Sequence, residues 1–250
     1  MSTMHGRHAL VTGGGGGIGA ACAAALTDAG ATVTVLGRNE ATLHEQVVAG
    51  RAVAYRIADL TDPAATDQAL RSLGRPVDIV VNNAGAAMTG TFSKSTDDDF
   101  LLMLNINLMS AVRVTRLTLP GMAERGFGRV VNIASSAALK GYPYVAAYVA
   151  SKHALLGLTR ALATECAKTG VTVNAVCPGF VDTDLTARSL ETIVAKTGRS
   201  ADQARAALAA HNPQGRLITP CEVAGAVLYL CGDAARGVNG AALPVTGGEI

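Results

Sequence analysis

The feature that most constrains the fold of this chain is a regular alternation between two kinds of segment. Short apolar runs rich in β-branched residues are separated by longer stretches rich in Ala and Leu with helical spacing. The runs cover residues 8–12, 31–36, 52–57, 77–81, 129–133, 171–176 and 242–245. Several of them are apolar on both faces, as strands covered by helices on both sides must be. The pattern predicts a doubly wound α/β fold with seven parallel strands and right-handed crossovers.

No Pro-rich or Ser-rich linker and no repeat of about 20 to 50 residues divides the 250-residue chain. We therefore predict one domain over residues 1–250, long enough to bury its core without a metal or disulfide staple. Five scattered cysteines without a C-x-x-C pair argue against a disulfide framework and against a metal site.

The charge distribution and the start of the chain favour a cytoplasmic protein. The net charge is +2 without a basic block, which argues against nucleic acid as a partner. The first predicted strand begins within ten residues of the start, which leaves no space for a signal peptide. The apolar run nearby, residues 20–26, is shorter than the ~20 residues that a membrane-spanning helix needs. We expect neither membrane nor nucleic acid as a partner.

A glycine-rich loop follows the first predicted strand, where doubly wound sheets bind their ligands. Residues 12–19 read TGGGGGIG, and a helix comes next. Glycines let the backbone approach a diphosphate, and the free N–H groups of a helix start favour an anion. The predicted dinucleotide contacts are Gly13, Gly15, Gly16, Gly17, Ile18 and Gly19. A purely structural turn is the alternative, because five consecutive glycines match many glycine patterns.

The end of the second predicted strand bears on the type of dinucleotide. The strand ends in Leu36 and is followed by Gly37 and Arg38. An acidic residue here would bind the ribose hydroxyls of NAD(H), whereas an arginine accommodates the 2′-phosphate of NADP(H). Arg38 therefore favours NADP(H) over NAD(H). The alternative is a solvated Arg38 and use of NAD(H), because the glycine loop lacks a second basic residue.

Tyr148 and Lys152 are the candidate proton-transfer pair. They are four residues apart in a helical stretch, so their side chains emerge on the same helix face. A free tyrosine titrates near ~10, which is too high for a general acid and base at neutral pH. A neighbouring ammonium lowers the pKa of a phenol. We predict that Lys152 lowers the pKa of Tyr148 in this way.

Seven motifs along the chain resemble those of the short-chain dehydrogenase/reductase family. They are TGGGGGIG at 12–19, Asp59-Leu60, NNAG at 82–85, Asn107 in NINL, Ser135 in NIASS, YVASK at 148–152 and PGFVDT at 178–183. They occur in the family's order, and the resemblance extends to VTGG at 245–248. It implies a single-domain Rossmann fold and an NAD(P)(H)-dependent oxidoreductase that interconverts a ketone and a secondary alcohol.

The resemblance also implies a role for each matched residue. The family's tyrosine moves the hydroxyl proton, its lysine holds the nicotinamide ribose, its serine binds the substrate oxygen, and its asparagine positions a water. These catalytic roles fall on Tyr148, Lys152, Ser135 and Asn107. Further cofactor contacts are implied for Asp59 at the adenine, for Asn83 at the adenosine, for Val181 and Thr183 at the carboxamide, and for Leu60 and Gly85.

Several of these residues have a structural alternative. Ser136 adjoins Ser135, and an N-cap or turn role suits Ser136 once the motif register assigns the catalytic role to Ser135. Asp59 could cap the helix that follows it, although Thr61 or Asp62 could also do so. We expect His153 to be structural and the cysteines to be small buried apolar residues.

Residues 184–214 correspond to the segment that covers the substrate in the family, and we predict a helical lid there. From residue 188 onward it carries Arg188, Lys196, Arg199 and Arg205 against Glu191 and Asp202. This charge could steer a phosphorylated carrier such as coenzyme A or a phosphopantetheine arm. An ordinary pair of solvated helices is the alternative.

The stretches ASKHALLGLTRALA and TGVTVNAVCPGF also resemble the ketoreductases of fatty-acid and polyketide assembly and the 3-hydroxyacyl-CoA dehydrogenases. The leading hypothesis is therefore a 3-oxoacyl/3-hydroxyacyl thioester substrate. Another carbonyl compound or secondary alcohol, such as an aryl ketone, a sugar or a steroid, would use the same catalytic residues. The alternative from another functional class is a regulatory module that binds NADP(H) and catalyses no reaction. The resemblance further implies a homotetramer.

Overall fold

One parallel sheet organises the protein. The computed structural model describes residues 4–250, without the side chains of Ile193 and Lys196. The strands are β1 (His8–Thr12), β2 (Thr32–Gly37), β3 (Ala54–Ile57), β4 (Ile79–Asn82), β5 (Gly128–Ile133), β6 (Val171–Pro178) and β7 (Ala242–Val245). All are parallel, in the order β3-β2-β1-β4-β5-β6-β7. The predicted doubly wound α/β fold is confirmed.

Nine α-helices connect and cover the strands in the described part of the chain. They are α1 (Gly17–Asp28), α2 (Glu40–Val48), α3 (Pro63–Arg71), α4 (Asp97–Leu104), α5 (Ser110–Glu124), α6 (Ala146–Glu165), α7 (Asp184–Thr197), α8 (Ala201–Ala209) and α9 (Pro220–Cys231). On one face of the sheet α1 packs against α9, and on the other α3 packs against α5. The predicted lid segment contains α7 and α8.

The strand bounds agree with the predicted runs to within two residues, and the differences have a local cause. β4 extends to Asn82, which pairs in register with Asn132 of β5. The Asn82 Nδ2 group donates hydrogen bonds to Asn132 Oδ1 (2.8 Å) and to Thr115 Oγ1 (3.0 Å). Because the buried Asn82 Nδ2 group has acceptors on both β5 and α5, a polar residue continues the ladder where the apolar pattern ends.

Caps explain where several helices begin. Asp62 accepts hydrogen bonds from the N–H groups of Ala64 and Ala65 at the start of α3. Thr96 and Thr219 form capping boxes at α4 and α9. The N-cap of α1, Gly16, has no capping side chain, so the first N–H groups of α1 stay available to a ligand.

One helical stretch, Asp97–Glu124, is long and apolar enough to cross a membrane, with a mean hydropathy of 1.3 over its best window. It consists of α4, a π-helical segment at Asn105–Met109, and α5. Residues on its inner side, Met103, Asn107, Val114 and Met122, are buried in the domain. We therefore interpret it as a core helix, with an apolar outer face.

Buried His8 makes the stability of the fold depend on pH. Its Nδ1 lies 3.0 Å from the Pro76 carbonyl and its Nε2 lies 2.9 Å from Thr34 Oγ1. A neutral ring satisfies both contacts, with Nδ1–H donating and Nε2 accepting. Burial lowers the pKa of His8 below its ordinary value of 6.5. The unfolded chain therefore binds the proton first as the pH falls.

We expect the free energy of unfolding to fall as the pH is lowered from 7 through 6.5 and towards the depressed pKa of His8. The His8→Gln variant, which does not titrate, should have a flatter profile over this range. Urea unfolding at closely spaced pH values measures both curves, and His44→Gln is the control for loss of an exposed histidine. Parallel curves for wild type and His8→Gln would contradict this account.

Candidate active site

The carboxyl ends of β1, β4, β5 and β6 meet at one edge of the sheet. Gly13 follows β1, Asn83 follows β4, Ser135 lies two residues beyond β5, and Gly179 follows β6. Parallel pairing therefore brings together four motifs that are far apart in the chain. This is the edge at which doubly wound sheets bind their ligands.

The glycine loop is held against the residue that follows β4. The Asn83 Nδ2 group donates to the carbonyls of Thr12 (3.0 Å) and Gly13 (3.1 Å). Gly13 has a φ of 62° and leaves no space for a Cβ beside Asn83 and Ala84. A Cβ at Gly19 would collide with the Gly13 carbonyl. Asn83, which the resemblance assigns to the adenosine side of the cofactor, uses its side chain to brace the loop.

The start of α1 fits the diphosphate of a dinucleotide. Gly16 and Gly17 are exposed, and nothing lies within 4 Å of the place where a Cβ of Gly16 would be. The uncapped N–H groups of this helix start, together with its dipole, suit an anion. Ile18 packs partly buried against the core behind them, and the Gly15 carbonyl accepts a hydrogen bond from Gln46.

Arg38, after β2, lies near Asp59, which follows β3. Arg38 is 77% exposed, and its Nη1 lies 3.9 Å from the Asp59 carboxylate. Asp59 accepts hydrogen bonds from the N–H and the hydroxyl of Thr61, which lower its pKa. It does not cap α3, because Asp62 does so. Leu60 is buried, and its carbonyl accepts a hydrogen bond from Arg113.

Sequence reasoning did not place Arg188 or His44 beside Arg38. An open cavity of about 940 Å³ is lined by Arg38 and also by Arg188 from α7 and His44 from α2. Arg188 is 150 positions from Arg38, so no local pattern connects them. The second basic residue absent from the glycine loop is thus present in the lid segment.

Tyr148, Ser135 and Lys152 come together beyond β5. The Ser135 hydroxyl is within hydrogen-bonding reach of the Tyr148 phenol and lowers its pKa, but burial raises that pKa by more. The Lys152 Nζ lies 5.8 Å from the Tyr148 ring centroid and donates to the Ile133 carbonyl at 2.9 Å. Burial lowers the pKa of Lys152 to about 8.

The predicted origin of the Tyr148 pKa was therefore wrong. Desolvation dominates and raises the pKa, and the group that opposes it is the Ser135 hydroxyl. The same desolvation acts on Lys152, because both groups lie in an environment that disfavours charge.

The two adjacent serines also differ from the prediction. Ser135 accepts a hydrogen bond from the Ala137 N–H (3.1 Å) and caps the short 3-10 turn Ser136–Ala138. Ser136 is buried, and its hydroxyl lies 2.7 Å from the Tyr142 hydroxyl. The capping role that we expected for Ser136 thus belongs to Ser135.

Asn107 lies in the π-helical segment between α4 and α5. Its amide donates to the Ala86 carbonyl (2.9 Å) and to Ser151 Oγ (3.0 Å), and its Oδ1 accepts from the Ala86 N–H (2.9 Å). Gly85 is beside it, because a Cβ there would lie 2.9 Å from Asn107 Oδ1 and 3.6 Å from Lys152 Nζ. Asn107 therefore fixes the segment after β4 against α6. A π-helical turn, which is wider than an α-helical one, often occurs at a functional position.

The segment after β6 closes the site on the lid side. Val181 is buried, and its carbonyl accepts a hydrogen bond from Thr186 Oγ1 at 2.5 Å. Thr183 is the N-cap residue of α7, and its methyl group packs against Gly17 of the glycine loop. Arg205 of α8 is paired with Asp182 through two short contacts (3.1 and 2.7 Å). One lid cation is thus already neutralised, whereas Lys196 has no described side chain.

The remaining predictions concern residues outside the site. His153 is exposed and its Nδ1 lies 3.0 Å from the Val149 carbonyl of its own helix. Four cysteines are buried and unpaired, but Cys221 is exposed at the start of α9, where the prediction was wrong. Among the described residues, no group of His, Cys, Asp and Glu could hold a metal ion.

Aromatic side chains collect around the same edge. The Tyr142 and Phe180 ring centroids are 6.1 Å apart, and both rings contact His211. Tyr144 has a φ of 66°, a strained value for a residue with a Cβ, and its carbonyl accepts a hydrogen bond from the Gly90 N–H. This bond joins the segment after β4 to the segment that leads into α6.

Comparison with known proteins agrees with this geometry. A family model described as short chain dehydrogenase matches residues 7–193. The chain is 37% identical to a D-beta-hydroxybutyrate dehydrogenase of Cupriavidus necator, covering 99% of each. It is 38% identical to an acetoacetyl-CoA reductase of Allochromatium vinosum, covering 97% of the chain and 98% of the relative.

Among solved structures, it resembles a variant of actinorhodin polyketide ketoreductase with NADPH, at a TM-score of 0.91 and 39% identity, covering 100% of the chain and 99% of that protein. The motifs at the sheet edge, the family model and these relatives agree in one conclusion: the chain belongs to the short-chain dehydrogenase family, whose members are NAD(P)-dependent oxidoreductases.

Proposed function

We propose that this protein interconverts a 3-oxoacyl thioester and its 3-hydroxyacyl counterpart with NADP(H). The observation that carries the proposal is the convergence of Tyr148, Ser135 and Lys152 at the edge that bears the glycine loop. A carbonyl oxygen held by Ser135 would face the phenol that can protonate it. The relatives named acetoacetyl-CoA reductase and polyketide ketoreductase support a thioester as the ketone.

Each side chain would have one task in this reaction. The nicotinamide, when bound, supplies or accepts the hydride. In the reduction, Tyr148 gives its proton to the oxygen held by Ser135, and in the oxidation it takes that proton back. Burial raises the pKa of Tyr148, which keeps the phenol protonated at neutral pH until it meets the substrate oxygen. Lys152 would hold the nicotinamide ribose, and Asn107 would support the proton relay.

The remaining cofactor contacts follow from the groove. The N–H groups at Gly13 to Gly19 would hold the diphosphate, Asp59 and Leu60 would meet the adenine, and Asn83 and Gly85 would flank the nucleoside. Val181 and Thr183 would hold the carboxamide.

The two arginines favour NADP(H). Arg38 and Arg188 line the same cavity, together with His44. A 2′-phosphate would neutralise this concentration of positive charge, and guanidinium groups form strong charge-assisted hydrogen bonds with phosphate. The Glu40 carboxylate also lines this cavity and accepts a hydrogen bond from the Tyr55 hydroxyl at 3.0 Å.

We further propose that residues 1–250 act as one domain with residues 184–214 as the substrate lid, and that the protein works in the cytoplasm. The cytoplasmic location is supported by five free thiols, which suit a reducing compartment.

An absorbance assay at about 340 nm tests the substrate class. It crosses NADPH and NADH with acetoacetyl-CoA, an aryl ketone and a sugar. We expect the highest kcat/KM for acetoacetyl-CoA with NADPH. Ready reduction of free ketones without turnover of acetoacetyl-CoA would reject the thioester and leave a ketone reductase of another specificity.

Tyr148→Phe should lower kcat by about 10²–10⁴-fold, which is the usual contribution of general acid–base catalysis. NADPH binding, followed by the fluorescence of the bound cofactor, should be unchanged because the ring stays in place. Tyr229→Phe, on exposed α9, is the matched control. Unchanged turnover in Tyr148→Phe would favour a module that binds the cofactor without chemistry of its own.

Arg38→Ala should raise the KM for NADPH about tenfold and leave the KM for NADH unchanged, since one charge-assisted hydrogen bond contributes about 1.5–3 kcal/mol. Arg188→Ala should also raise the KM for NADPH and leave the KM for NADH unchanged, but by a smaller factor. Arg71→Ala, which removes an exposed arginine of α3, is the control. A wild-type enzyme that prefers NADH would contradict the assignment of the 2′-phosphate.

The outer face of the Asp97–Glu124 helix supports a homotetramer. Leu101, Leu102 and Leu117 are exposed, and an apolar groove runs along Leu101, Leu102, Leu104, Leu108 and Met109. Isolated apolar residues on a surface need no explanation, but a continuous stripe of this kind marks an interface. A second copy of the chain, with the same stripe, would cover it symmetrically.

The double variant Leu101→Lys/Leu102→Lys should lower the molar mass measured by size exclusion with light scattering, because two charges would enter a buried interface. Val48→Lys removes an equally exposed apolar side chain from α2 and should leave the mass unchanged. A monomeric wild-type protein would reject the homotetramer.

A further inference from the structure

The carboxylate of Glu249 is nearly inaccessible to solvent although it belongs to the second-last residue of the chain. Its side chain is 4% exposed, whereas the neighbouring Lys140 side chain is 35% exposed. Glu249 Oε1 accepts a hydrogen bond from the Tyr142 hydroxyl (2.6 Å) and lies 3.0 Å from Lys140 Nζ. His211 Nδ1 is 3.7 Å from the same oxygen.

These contacts connect three segments near the edge of the sheet that carries the site. Lys140 and Tyr142 belong to the segment between the turn capped by Ser135 and the start of α6. His211 follows α8 and ends the lid segment. The third contact is Gly179, after β6, where a Cβ would lie 3.2 Å from Glu249 Oε2.

The surroundings of Glu249 reinforce this connection. The Tyr142 hydroxyl also lies 2.7 Å from Ser136 Oγ, next to the proposed substrate-binding serine. Burial and the Glu249 carboxylate together raise the pKa of Tyr142, so that its phenol remains a hydrogen-bond donor at neutral pH. At the tail, the Asn212 side chain occupies the space that a Cβ of Gly247 would need. Residues 247–249 thus pack against the end of the lid segment at two places, His211 and Asn212.

We propose that Glu249 is a positioning residue that fastens the end of the lid and the Ser135–Tyr148 segment to each other, and so sets the affinity for the ketone. This inference rests on the proposed function. Glu249 touches neither the glycine loop nor the cavity of Arg38 in the described contacts, so the cofactor affinity should not depend on it. A buried carboxylate with a charged partner resists displacement, because removing one member leaves the other uncompensated.

The Glu249→Gln variant tests the proposal, because the amide retains an acceptor for Tyr142 but loses the charge that pairs with Lys140. We expect the KM for the best ketone substrate to rise about tenfold and the Kd for NADPH, measured by cofactor fluorescence, to change less than twofold. Hydrogen exchange followed by mass spectrometry should show faster exchange in residues 200–214. Tyr142→Phe removes the hydrogen-bond donor and keeps the ring. It should also raise the KM for the ketone, by a smaller factor, and leave the Kd for NADPH unchanged.

Asp78→Asn is the matched control. Its side chain is also largely buried, pairs with Arg125 at 3.3 Å and accepts the His8 N–H, but it lies at the opposite edge of the sheet. It should lower stability without changing the KM for the ketone or the exchange of the lid.

Three outcomes would separate the possibilities. Unchanged ketone KM and unchanged lid exchange in both Glu249→Gln and Tyr142→Phe would overturn the inference. Equal increases in ketone KM and NADPH Kd would also overturn it, because they indicate general loosening. If the wild-type protein reduced no ketone, the proposed function would fail, and the exchange of residues 200–214 would by itself decide whether Glu249 fastens the lid.

Discussion

Parallel pairing of β1, β4, β5 and β6 is the constraint on which the rest of the structure depends. It directs the carboxyl ends of these strands to one edge, so that the residue after each strand faces a common groove. The helices of one face then supply side chains from behind: Asn107 from the π turn and Lys152 from α6. Because the strands are buried on both faces, the polar residues of the site are confined to this edge, where water or a ligand can reach them.

Most of this arrangement could be predicted from the sequence because it depends on local residue patterns. Runs of β-branched residues predicted the strand bounds to within two residues. The four-residue spacing of Tyr148 and Lys152 predicted that their side chains lie on the same helix face. The contacts that were missed join residues far apart in the chain. Arg188 meets the cavity of Arg38 across 150 positions, and Glu249 meets Tyr142 across 107. No sequence periodicity predicts such a contact, because only the packing of the whole chain brings the two residues together.

Other differences came from competition between neighbouring groups of similar chemistry. Ser135 and Ser136 are both able to cap a turn, and the backbone after β5 decided that Ser135 does so. Asp59 and Asp62 both precede α3, and Asp62, next to its first residue, accepts the hydrogen bonds that cap it. The pKa of Tyr148 depends on how deeply the phenol is buried, which the spacing to Lys152 does not convey. In each case, sequence identified the set of candidates and three-dimensional packing chose among them.

The uncapped start of α1 has a consequence for the energetics of the whole fold. Its first N–H groups have no side-chain partner, whereas Asp62, Thr96 and Thr219 serve that purpose at α3, α4 and α9. An anion bound there completes the hydrogen bonding of a helix that packs against β1, β2 and α9. Binding and folding are then linked through mass action, and the native state gains stability with the logarithm of the ligand concentration above its Kd. In a cell, the resistance of this protein to unfolding and proteolysis would therefore follow the supply of its own dinucleotide.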